Sequence, residues 1–221
     1  MKLEYVIFWT LFLLPTCFAS WAIKKRLKHS KITVYIVGIW SIVLGFFFCR
    51  NYSPAACTLS FDNWLTGIIL FACLESVQLI LINPKFSKRE SFTVCIRQII
   101  FYLVIIGFVE EFWFRGIWFA MFSDYNAVWA IIIGSLLFAL IHYINGGVNA
   151  VVLTFFIGIA FSTARYYGTS ILVLTVVHGW IDYLNCKAFS GSNLRYSTLK
   201  SNSIAVAGIL LTVLLVVLIN L

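Results

Sequence analysis

A chain of 221 residues that is 62% hydrophobic and only 11% charged is too apolar for a soluble domain, which keeps about a quarter of its residues charged. Its net charge of +8 comes from short basic clusters at 24–31, 85–89 and 187–200. They follow alternate apolar runs, the pattern of topology determinants beside anionic lipid, and this excludes a nucleic-acid partner.

A bilayer core of about 30 Å takes about 20 apolar residues in a helix, and the chain holds several such runs. The expected fold is all-α, a polytopic transmembrane bundle of about eight helices forming one domain over 1–221. The first run, 5–23, has its basic cluster behind it, which suits a retained helix with its N-terminus outward and not a cleaved leader. A second helix is expected at 32–49, then a polar outer loop at 50–63 flanked by Cys49 and Cys57. Those two cysteines are placed to bridge, although buried apolar thiols are the commoner state. None of the six cysteines forms a CxxC pair, so a zinc knuckle or dithiol motif has no support.

The third helix, 64–82, is stopped by the Asn-Pro-Lys at 83–85, because proline disfavours the helical region for the residue before it. Residues 86–98 mix charge and apolar bulk and are expected at the interface. A fourth helix follows at 99–122, a turn at 123–126, a fifth helix at 127–144 and a glycine-rich reversal at 145–147. The sixth and seventh helices are read at 148–166 and 171–186. A polar stretch at 191–203 then separates them from an eighth at 204–221.

An ionisable side chain inside a membrane helix costs a few kcal/mol, so it usually faces a partner or a wet cavity. The chain has only eight acids and three histidines, yet Glu75, Glu110, Glu111, His142, His178 and Asp182 all fall within expected helices. In "EEFWFRG" (110–116), Glu111 and Arg115 are four apart and share a helix face, while Glu110 is turned away by roughly 100°. Arginine can therefore hold one glutamate while the other meets a different environment. Adjacent carboxylates also oppose each other's ionisation, which favours one of them for acid–base work.

In "FALIH" (138–142), Phe138 lies one turn before His142 and can wall its ring. In "HGWID" (178–182), Asp182 can reach back to His178 and fix its tautomer. A rise of 1.5 Å per residue sets Glu110 ~16 Å from the inner end of its helix, His142 within ~10 Å of that face and His178 near ~18 Å. These depths permit one shared cavity. Glu75 is a further polar spot, able to line that cavity or to pair with Arg165.

The three motifs in this order, Glu-Glu-x-x-x-Arg, Phe-x-x-x-His and His-x-x-x-Asp on successive membrane helices, resemble the CPBP family of CAAX proteases and bacteriocin-processing enzymes, also called Abi. The resemblance spans about 95–186. It implies an intramembrane endopeptidase related to the type II CAAX prenyl endopeptidases, acting on a peptide or membrane-protein substrate that can be lipidated. Carried onto this sequence, Glu110 is the general base that activates water, with His142 assisting. His178 and Asp182 stabilise the oxyanion, and Glu111, Arg115 and Phe138 support the site.

Many members carry asparagine where this chain has Asp182. An ionised aspartate cannot donate, so its preferred role is to orient His178. The resemblance requires no cofactor, although Glu110, His142 and His178 with a water also make a possible zinc or other divalent-metal set. It further implies a role in bacteriocin processing or self-immunity, and the nearly absent soluble loops suit a bacterial plasma membrane. Two rival readings are a non-catalytic membrane immunity or binding protein and a proton-coupled transporter whose buried Glu and His relay protons.

Overall fold

The computed structural model describes residues 3–25, 30–52, 59–83, 85, 91–122, 126–188, 193–194 and 198–221. Cys57, and with it the expected bridge to Cys49, lies outside the described residues, as does the expected turn apart from Asn126. The described chain forms helices α1 (Leu3–Lys24), α2 (Ser30–Tyr52), α3 (Trp64–Leu81), α4 (Phe92–Phe122), α5 (Ala127–Ile141) and α6 (Tyr143–Tyr166). They are followed by α7, Ile171–Tyr183 prolonged by a π-helical stretch at Leu184–Ala188, and α8 (Thr198–Ile219). Six of these are long and apolar enough to cross a membrane, and α5 and α7 are shorter apolar helices. The protein is an integral multi-pass membrane protein with an all-α bundle.

Between helices, polar contacts and close packing replace the hydrophobic driving force that lipid removes. Apolar side chains such as Leu14, Phe47, Ile68 and Leu214 accordingly remain exposed to face lipid. Pro15 inside α1 lacks the N–H that would bond the Leu11 carbonyl, and Trp40 Nε1 of α2 donates to that carbonyl instead at 3.2 Å. At one end of the bundle Asn63 Nδ2 donates to the Tyr167 carbonyl at 3.1 Å and to Asn220 Oδ1 at 3.0 Å, and Ser170 N–H donates to the Asp62 carbonyl at 3.1 Å. This knot ties α3, the α6–α7 turn and α8 together. Helix starts are capped where the sequence supplies acceptors: the Asn126 side chain accepts from Trp129 N–H and the Ser170 hydroxyl from Val173 N–H.

Three boundaries differ from the sequence expectation. Helix α4 begins at Phe92, not at 99; its first two turns are amphipathic and bury no residue, so residues 92–98 of the expected interfacial segment are continuous with the span. The chain breaks at His142, and the glycine-rich reversal becomes a kink inside α6, where Gly147 takes φ 64°, a left-handed value open to glycine. Helix α8 starts at Thr198 because its polar first turns are bonded: Ser203 Oγ donates to the Leu199 carbonyl at 3.1 Å and Asn202 to Asn149 at 3.1 Å.

A two-residue antiparallel pairing, β1 (Ile82–Asn83) with β2 (Asn193–Leu194), was not expected from the sequence. It joins the end of α3 to the segment ahead of α8.

Candidate active site

The site is built on α4. Two π-helical stretches, Phe101–Phe108 and Phe112–Ile117, flank the single α-helical turn Val109–Glu111. Such π-turns are rare and are frequent at functional sites. Helix α4 meets α7 at glycines. A Cβ on Gly107 would lie 2.9 Å from the Thr175 carbonyl oxygen, and one on Gly179 would lie 2.8 Å from Leu103 Cα. Only hydrogen fits at either position, so the two backbones touch just below the paired glutamates.

This approach brings the carboxylates of α4 to the imidazole of α7. Glu111, 0% exposed, accepts from Arg115 Nη1 at 3.0 Å and bonds His178 Nδ1 at 2.6 Å through the same oxygen, Oε1. Arg115 is buried as deeply; its Nη2 donates to the Gly158 carbonyl at 3.4 Å, and its guanidinium lies over the rings of Phe138 at 4.4 Å and Phe161 at 5.4 Å. Arg165 does not pair with Glu75. Its Nε donates to the Arg115 carbonyl at 3.2 Å and its Nη1 to the Thr169 carbonyl at 3.2 Å, bracing the second π stretch.

Glu110 points elsewhere. Its Oε2 lies 3.6 Å from His178 Nε2 and 4.0 Å from His142 Nε2 and has no hydrogen-bond partner among the described residues. His142 Nδ1 donates to the Phe138 carbonyl at 2.8 Å, which turns Nε2 toward Glu110. The Phe138 ring walls His142 at a centroid distance of 4.7 Å and meets His178 edge-on at 6.0 Å. Asp182 Oδ2 is 3.6 Å from His178 Nε2, beyond a direct hydrogen bond.

All seven residues singled out from the three motifs thus converge, but the partner that grips His178 is Glu111 and not Asp182. The Glu111–His178 bond spans two helices, and only the Gly107–Gly179 contact, a pair of small residues on different helices, signals it in the sequence. Glu75 is buried in α3, its Oε1 without a hydrogen-bond partner among the described residues.

His142, His178 and Asp182 line a cavity of about 370 Å³, whose other walls include Leu74, Gln78, Ile157 and Asn185. A second cavity, about 250 Å³ between Trp64, Phe71 and Trp180, is lined by no titratable group among the described residues. Among the described residues no three His, Cys, Asp or Glu side chains are grouped to hold a metal ion.

Residues 92–184 match the family model for the type II CAAX prenyl endopeptidases, Rce1-like. That segment is similar to the core of the CAAX-protease family. It contains every motif residue of the site and less than half of the chain. No curated protein and no solved structure matches the chain. The family that this segment resembles is one of prenyl endopeptidases. The walls that α3 and α8 contribute to the site's cavity lie outside the matched residues.

Proposed function

We propose that the protein is an intramembrane endopeptidase of CAAX type that hydrolyses a peptide bond with water activated by Glu110. The observation that carries this reading is the position of Glu110 Oε2, 3.6 Å from His178 Nε2 and 4.0 Å from His142 Nε2. Both gaps are too long for direct hydrogen bonds and short enough for one water to bridge. Glu110 takes a proton from that water as its oxygen attacks the scissile carbonyl, and His142 Nε2 orients it. His178 is held by Glu111 through Nδ1 and, carrying a proton on Nε2, donates to the developing oxyanion. Glu110 then passes its proton to the departing amine, so water and one peptide bond become a carboxylic acid and an amine.

Asp182 sits on the open side of His178 and counters the charge of the imidazolium. The adjacent Glu111 is committed to Arg115 and His178 and takes no proton from water. No step in this scheme runs through a metal.

The test is cleavage of an S-farnesylated peptide ending Cys-Val-Ile-Met by purified wild type and Glu110→Gln, each with and without EDTA. We expect wild-type cleavage to survive chelation and Glu110→Gln to lose at least ~10²-fold, the usual contribution of a positioned general base. Loss under EDTA restored by zinc would transfer the chemistry to a metal. Full activity in Glu110→Gln would overturn the reading.

A further inference from the structure

We infer that Gln78 and Asn185 form an amide clamp that holds the main chain of the substrate's leaving segment in an extended conformation. The inference rests on the endopeptidase reading above and assigns a role to α3, which lies outside the family-matched core.

A peptide in a bilayer satisfies its backbone by folding into a helix, and that helix occupies the carbonyl that water must attack. Hydrolysis therefore needs a locally extended segment, and every N–H and C=O that leaves the helix needs a new partner in the cavity. The walls supply few. His142 Nδ1 is committed to the Phe138 carbonyl, and the Thr154 hydroxyl donates to the Ala150 carbonyl at 2.6 Å. Gln78 and Asn185 line the same cavity, and among the described residues neither side-chain amide makes a hydrogen bond. By contrast the amides of Asn63, Asn126, Asn202 and Asn220 are all engaged within the protein. A primary amide offers a donor and an acceptor together, the complement of a peptide group.

The spacing fixes which part of the substrate is held. Asn185 follows His178 by seven positions on the cavity face of α7, ~10 Å at the helical rise. An extended peptide covers that distance in about three residues at ~3.3 Å each. A scissile carbonyl at Glu110 and His178 thus puts Asn185 beside the leaving segment about three residues from the cleaved bond.

The experiment pairs an enzyme change with a substrate change. The farnesylated peptide is made with its Val-Ile amide intact or replaced by an ester, which removes one N–H, and both forms are given to wild type, Gln78→Leu and Asn185→Leu. We expect the ester to raise KM in wild type about 3- to 10-fold, the range of one hydrogen bond, with kcat little changed. In the variant that lost the acceptor, the ester should bring no further penalty. An equal ester penalty in wild type and both variants overturns the clamp.

The same set of proteins is titrated with fluorescent peptides whose scissile amide is a reduced, uncleavable amine. Binding with no cleavage of the normal peptide by wild type would sink the peptidase reading, and the ester effect on Kd would still decide the clamp. Neither binding nor cleavage by wild type overturns both.

Discussion

On one face of α4, Phe112, Trp113 and Phe114 are packed to 0–1% exposure against α1 and α2, with Phe12 stacked on Trp113 at 4.2 Å and Trp113 Nε1 bonded to the Ser41 carbonyl at 3.0 Å. On the other, Glu110 faces His142 and Asp182, which keep 24% and 29% of their side chains exposed beside an open cavity. The aromatic face fixes the rotation and depth of α4 by dense contact. The cavity face leaves open volume beside the two histidines. The two meet at Glu111 and Arg115, buried polar groups whose geometry is set from the rigid side and used on the open one. The position of Glu110 is thus set by packing on the opposite side of its helix.

Removing one partner of the buried ion pair strikes where the faces join and should have the largest effect. Arg115→Met leaves Glu111 charged, buried and held only by His178, and a loss of about 3–5 kcal/mol of stability is expected. Reversible unfolding in mixed detergent would measure it. A stability equal to that of wild type would mean that the pair is not the hinge between the faces.

Trp113→Ala cuts the aromatic face alone. It removes the Phe12 stack and the Ser41 bond and should cost about 3 kcal/mol, largely the cavity left behind. In the same unfolding assay, the surviving folded fraction should keep its kcat near that of wild type. A fallen kcat with unchanged stability would contradict the assignment of this face to rigidity.

Gly179→Val targets the contact that aligns the cavity face. Its side chain would press on Leu103 and the Tyr102 carbonyl, pushing α7 from α4 and stretching the 2.6 Å Glu111–His178 bond. A displacement near 1 Å can cost ~10²-fold in rate, and steady-state kinetics should find that loss in kcat. Unaltered kcat would show that the glycine contact does not set the catalytic geometry.

What was legible in the sequence follows the range of each interaction. The helix runs, the Glu111–Arg115 pair and the Phe138–His142 wall depend on one helix and its period, and all were readable. The apparent His178–Asp182 partnership was readable for the same reason, yet the short bond to His178 comes from Glu111, 67 positions away. That bond exists because Gly107 and Gly179 let two backbones touch, a fact of packing that no single-helix period contains. The start of α8 was missed because Ser201, Asn202 and Ser203 look like a loop by composition. Bonds such as Asn202 to Asn149 satisfy them within the bundle. The cavity walls from α3 and α8 carry no motif at all, and Gln78 stood out only once they closed around the histidines.

The division of labour between two adjacent glutamates is the central claim, and one paired measurement tests it most directly. Peptide cleavage and thermal unfolding are measured side by side for Glu110→Gln and Glu111→Gln. Glu110→Gln should unfold with wild type and cleave nothing measurable, whereas Glu111→Gln should unfold several degrees earlier through loss of its charge-assisted bonds to Arg115 and His178. A Glu110→Gln protein that still cleaves, or a Glu111→Gln protein that keeps wild-type stability, would contradict it.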